Sequence, residues 1–172
     1  MKYYFFLQFI LFNIFQSFSQ IDTSHYSSPQ IEYKIERHIA LVTGINVHKN
    51  FFAEAGIAIK DNGVAGHHPI TRVLALTSEF KFTDKFIYAP KAGVWLGGGA
   101  SGMNLGINLI YYSDSEKGTL RCRPEIGLGF DAFRVVYGYN IAITQKNFQN
   151  VNKHNFCLNF LINLKKIKDV KR

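Results

Sequence analysis

The chain has 172 residues, which allows one domain. Aromatic residues make up 15% and charged residues only 19%, a lean-charge mixture unlike that of a disordered chain. Twenty Lys and Arg against twelve Asp and Glu give +8, but Lys165, Lys166, Lys168, Lys171 and Arg172 crowd the end, so a nucleic-acid face is not expected. Two cysteines, Cys122 and Cys157, do not make a disulfide framework.

Residues 1–19 carry the pattern of a secretory signal peptide. Lys2 supplies the positive end, Tyr3 to Phe15 is apolar apart from Gln8 and Asn13, and Ser17 and Ser19 are the small residues before a cut at Gln20. Thirteen residues interrupted by two amides are too few for a helix across a bilayer of about 30 Å. No cysteine lies near the cut, so a lipid anchor is not expected. Residues 20–34, with Ser24, Ser27, Ser28 and Pro29, form a loose polar leader.

From residue 35 to 164 the chain alternates apolar and polar with period two, the mark of strands. The first strand is expected over Arg37–His48, with Ile39, Leu41, Ile45 and Val47 on one face and Gly44 and Asn46 on the other. The second, Phe51–Lys60, sets Ala53, Ala55, Ile57 and Ile59 against Glu54, Gly56 and Lys60. Asp61-Asn62-Gly63 through Pro69 is rich in turn residues and is expected as a connection. The third strand, Arg72–Phe82, and the fourth, Phe86–Gly97, repeat the plan, with Thr77, Glu79, Lys91, Gly93 and Trp95 on the polar face. The fifth spans Gly102–Tyr112 and the sixth Thr119–Phe130, the latter with Arg121, Arg123, Glu125, Gly127 and Gly129 on its polar face.

The seventh strand, Phe133–Thr144, has the cleanest alternation. Phe133, Val135, Tyr137, Tyr139, Ile141 and Ile143 share one face, and Arg134, Val136, Gly138, Asn140, Ala142 and Thr144 the other. A tight turn at Asp131-Ala132 pairs it with the sixth strand, placing Gly129 opposite Arg134 and Glu125 opposite Gly138. The eighth follows Gln145–Lys153 and ends at Leu164, leaving 165–172 as a solvated basic tail. In this register Cys122 and Cys157 point to opposite faces and do not bridge. Pro90 and Pro124 fall inside strands, where bulges would accommodate them.

Alternation alone leaves open which face is inside. A water-soluble barrel of lipocalin type, binding a ligand in an apolar interior, is one solution. Three features favour the inverse. The polar face is built largely from Gly, Ala and Asn, which suit a narrow interior. Its charges come in both signs, so that Glu54, Glu79 and Glu125 have Lys91, Arg123 and Arg134 as partners in an enclosed network. Finally, Phe80, Phe82, Phe86, Tyr88, Tyr111, Phe130, Phe133 and Phe156 lie on the apolar face near strand ends, as the rims of a membrane barrel require.

In strand count, alternation and aromatic rims, residues 34–164 resemble the small outer-membrane β-barrel family of OmpA/OmpX type. The signal ending Ser-Phe-Ser-Gln resembles those of Bacteroidota-type exported proteins. The resemblance is architectural, and two features depart from it: the basic ending, where such barrels commonly finish on an aromatic residue, and the two prolines. It implies an all-β, eight-stranded antiparallel up-and-down transmembrane β-barrel in the outer membrane of a Gram-negative cell. Its partners would be outer-membrane lipid and the barrel-assembly machinery, with no cofactor and a monomeric state. A structural or envelope-interaction role without catalysis follows, since eight strands leave no open pore.

Three short motifs and one rim constellation carry competing chemistry. Gly97–Gly102 fits G-x-G-x-x-G, but a dinucleotide site needs a helix next and Met103–Tyr112 alternates as a strand. His67-His68 lacks further metal ligands nearby. Gly93-Val94-Trp95 has the G-x-W spacing of lipocalins, at the fourth strand where they carry it at the first. The enzymatic alternative is a lipid-modifying barrel, an acyltransferase or deacylase, with His48 or His154 at one rim beside Ser113, Asp114 and Ser115.

Overall fold

The computed structural model describes residues 34–65, 68–82, 85–148 and 151–171; the expected signal peptide, the leader up to residue 33 and His67 lie outside them. The described residues form one all-β antiparallel sheet. Its strands are β1 (Lys34–Val47), β2 (Phe51–Ala65), β3 (His68–Lys81), β4 (Ile87–Gly98), β5 (Met103–Ser113), β6 (Gly118–Gly129), β7 (Phe133–Tyr139), β8 (Ile141–Ala142) and β9 (His154–Lys171). Each of β1 to β6 pairs with the next, β7 pairs with β9, and β9 pairs with β1, so the hydrogen bonds run in a ring. The two-residue β8 pairs only with β6.

The ring is staggered. Ile35 faces Gly63, and successive partners run through Ile70, Gly98, Met103, Leu128, Val135 and Leu158 to Ile45. One circuit thus returns to β1 ten residues from its start (45 − 35).

Burial follows the period of two. The enclosed face holds Asn46, Glu54, Lys60, Glu79, Lys91, Arg121, Arg123, Glu125, Arg134 and Asn159, while Ile45, Ile57, Leu74, Leu76, Leu105, Ile107, Val135 and Ile162 are exposed on the other. The polar face is therefore inside. Small residues make room there. A Cβ on Gly106 would lie 2.7 Å from Cδ1 of Trp95, and one on Gly138 2.7 Å from Cδ of Arg123, both inside van der Waals contact.

Several expectations need correction. The seventh strand is broken into β7 and β8 at Asn140, giving nine strands where eight were expected. Neither proline produces a bulge. The β4–β5 ladder skips Ala89 and Pro90, and the pairing of β6 with β7 and β8 skips Arg123 and Pro124, in the same register on both sides of each gap. Pro has no N–H to give a ladder, and the gap beside Pro124 is where the seventh strand divides. Asp61-Asn62-Gly63 is strand, paired with Arg72, Thr71 and Ile70. Asp61 takes Arg37 and Arg72, each at 2.6 Å, on the opposite face from Lys60. The basic ending is strand too: Lys165–Lys171 continues β9 along β1, with register shifts, and Lys166 pairs with Glu36 at 3.1 Å. The expected pairs Gly129–Arg134 and Glu125–Gly138 are both present. Both cysteines are free, with Cys157 buried inside and Cys122 on the other face.

Candidate functional site

Six charged side chains from five strands meet inside the ring. Lys91 on β4 lies 2.5 Å from Glu54 on β2 and 3.3 Å from Glu79 on β3. Glu79 receives both terminal nitrogens of Arg123 on β6, at 2.8 and 3.2 Å. Arg123 is 3.7 Å from Glu125, and Glu125 is 2.9 Å from Arg134 on β7. Glu54, Lys91, Glu79, Arg123, Glu125 and Arg134 thus form one continuous ladder of alternating sign, three carboxylates and three cations, with no net charge.

The rungs are not equally satisfied. Glu54 also accepts from Asn46 at 2.7 Å, Thr77 at 2.8 Å and Asn159 at 3.0 Å. Glu79 also accepts from the Tyr112 hydroxyl at 2.8 Å. Glu125 has ion-pair contact with Arg134, yet its oxygens lie off the N–H directions and accept no hydrogen bond among the described residues. The distance and the directionality disagree on how good this rung is. Attraction between charges at 2.9 Å survives misdirection, so Glu125 is held by ion pairing alone, chiefly to Arg134 and more weakly to Arg123 at 3.7 Å. Arg134 is anchored elsewhere: Nε donates to Asn159 Oδ1 at 3.0 Å, and the guanidinium stacks 3.5 Å from the centre of the Trp95 ring.

The two ends of the interior differ. On the side where β1 begins and β2 ends there is a cavity of about 480 Å³, lined by Thr71, Val73, Trp95, Asn104, Arg134 and Leu161 among others. The glycines of the 97–102 motif line its edge. They form a turn, with Gly99 and Gly102 at φ 77° and 64°, and strand β5 follows where a dinucleotide site would have a helix. Lys60, fully buried, reaches across to Asp131, with 3.0 Å to its carbonyl and 2.6 Å to its carboxylate.

The other end is closed. Phe148 and Val151, from the connection between β8 and β9, are buried against Phe52, Ile87, Ala89, Ile110 and Tyr112. Arg121 Nη2 donates to the Phe148 carbonyl at 3.3 Å. His48, in the turn between β1 and β2, is also enclosed at this end. Its ring lies 3.3 Å from Glu79 and from the Tyr112 hydroxyl.

The residues of the enzymatic alternative are not brought together. His48 faces the interior, whereas His154 lies on the outer face and meets the Tyr137 hydroxyl at 2.6 Å. Ser113 and Asp114 accept backbone N–H groups of their own turn, from Ser115 at 3.3 Å and Lys117 at 2.8 Å. Neither the Lys60–Asp131 pair nor the Phe148 plug was legible in the sequence as a contact. The signal available was two apolar residues isolated in the polar Gln145–Lys153 stretch. No family model matches the chain, and neither a curated protein nor a solved structure matches it.

Proposed function

We propose that the chain is an integral outer-membrane protein, a monomeric, non-catalytic eight-stranded transmembrane β-barrel with a structural or envelope-interaction role and no open pore. On this reading β8 is the far end of the seventh strand, beyond the gap at Pro124. The observation that carries it is the inversion of faces: ionised side chains inside, and a continuous apolar surface outside that would be an aggregation patch in water. A ten-residue stagger over eight strands corresponds to a tilt of about 40°, from a rise of about 3.4 Å and a strand spacing of about 4.8 Å. At that tilt the outward residues Met103, Leu105, Ile107, Leu109 and Tyr111 cover about 21 Å, close to the apolar band of about 25 Å of outer-membrane barrels.

The aromatic rims support the same reading. Phe80, Phe82, Phe86 and Tyr88 lie ring to ring at one end, with centroids 5.5–6.2 Å apart. Phe130 and Phe133 are 5.7 Å apart at the other. Outer-membrane lipid is the partner of this surface, and the assembly machinery its route of insertion.

Fractionation with carbonate extraction, joined to an unheated gel in detergent, tests the proposal. The protein should stay with the membrane and migrate faster unheated than boiled. Free release by carbonate would refute membrane residence and favour a periplasmic soluble fold.

A further inference from the structure

The enclosed His48 sits at the junction between the charge ladder and the connection that closes one end. Arg123 is always a donor, and its Nε donates to Asn140 Oδ1 at 2.8 Å. That contact fixes the orientation of the Asn140 amide, so Nδ2 must be the donor on its other side. Nδ2 donates to the Asn152 carbonyl at 2.9 Å and lies 3.2 Å from His48 Nδ1. His48 Nδ1 must therefore carry a lone pair. The imidazole proton is on Nε2, 3.3 Å from Glu79 Oε2. Arg123 Nη2, 3.4 Å from Nε2, does not demand the other tautomer, because it is already engaged with Glu79 and Tyr112.

We propose that His48 is a proton-operated latch: a proton added from solvent to Nδ1 places N–H against N–H at Asn140 and releases the Asn140–Asn152 tie that holds the closed end. The groups facing His48 are Glu79 from β3, Lys91 from β4, Tyr112 from β5, Arg123 from β6 and Asn140 from the β7–β8 junction; β2 offers only Phe52, edge-on at 5.0 Å between ring centres. Burial holds the imidazole below its ordinary value of 6.5; the hydrogen bond to Glu79 opposes this, while Arg123 and Lys91 add to it. The latched state therefore binds fewer protons than the open one. Its stability is complete above about pH 6.5 and falls as the pH drops below that, until the depressed value is passed. Nothing in this depends on the membrane reading, because every contact lies within the ring.

Hydrogen exchange of the full-length protein in detergent, corrected for the intrinsic pH dependence of exchange, follows the 140–153 peptide. It contains the Asn140 N–H bonded to the Lys153 carbonyl and the Ile143 N–H bonded to that of Leu120. Opening should rise by up to about tenfold per pH unit below about 6.5. His48→Gln retains one acceptor and one donor but cannot titrate, and should abolish that slope. Asn140→Asp removes the donor to the Asn152 carbonyl, so opening should already be high at pH 7.5 and the slope below pH 6.5 lost. Imidazole ¹⁵N shifts on the unmodified protein should show Nδ1 unprotonated at pH 7.5 and gaining its proton as exchange rises. Equal slopes in wild type and His48→Gln, a proton on Nδ1 at pH 7.5, or protonation with no change in exchange would each overturn the latch.

Discussion

Replacing Arg134 with Met probes the least satisfied rung of the ladder. The change removes the ion pair to Glu125 at 2.9 Å, the bond to Asn159 at 3.0 Å and the stacking on Trp95. Glu125 is left with Arg123 at 3.7 Å, and Arg123 is already engaged on both oxygens of Glu79. Stranding a buried charge costs about 3–5 kcal/mol, and a desolvated cation–π contact adds up to about 2. The single variant should therefore lose about 5 kcal/mol. Glu125 accepts no hydrogen bond, so adding Glu125→Gln removes the stranded charge without breaking one. The double variant should be no less stable than Arg134→Met alone, so the coupling should equal or exceed whatever Glu125→Gln costs by itself. Reversible unfolding in urea from detergent or vesicles measures this. Trp95, the single tryptophan, reports on the site, and the folded gel band gives a readout independent of its altered surroundings. Losses that simply add, to within about 0.5 kcal/mol, would refute the claim that the two residues form one enclosed unit.

Two further changes test the faces of the wall. Val135 is outward and half exposed, so Val135→Arg should cost about 2–4 kcal/mol if the protein is folded in a bilayer, and little if that face is in water; vesicle-based unfolding separates the two. Gly106→Ala drives a methyl group against Trp95 and should cost about 1–3 kcal/mol, with a shift in tryptophan emission in the folded protein.

Much of the fold was legible because a period of two is a local signal. It placed Val136 and Arg134 on one side and Val135 on the other, and the short Asp131-Ala132 turn fixed the register of β6 against β7. It also named the six ladder charges, since each occupies an inward position. Which carboxylate meets which cation was not legible. Glu79 and Arg123 are 44 residues apart and meet only because the ring closes with a ten-residue stagger, a property of all the registers together. The strand ends were misjudged for a different reason. Asp61-Asn62-Gly63 has the composition of a turn, and Lys165–Lys171 that of a tail. Partners distant in sequence, Arg72 on β3 and Glu36 on β1, draw them into the sheet. The break at Asn140 came from Pro124 on the neighbouring strand, where no local reading of the seventh strand could find it.

On the proposed membrane reading, a wall whose apolar side faces lipid gains nothing from the hydrophobic effect that separates inside from outside in a water-soluble protein. Its specificity must come from the interior, and the ladder supplies it in a form that also blocks passage. A solute moving along the axis would have to displace Lys91 from two carboxylates and Arg123 from Glu79. Each displacement exposes a buried charge to the loss of its partner, at about 3–5 kcal/mol. Beyond the ladder it would meet the apolar cluster around Phe148 at one end, and at the other the Lys60–Asp131 pair beside the cavity. The cavity lies where β1 begins and β9 finishes, with the charge ladder between it and the Phe148 cluster.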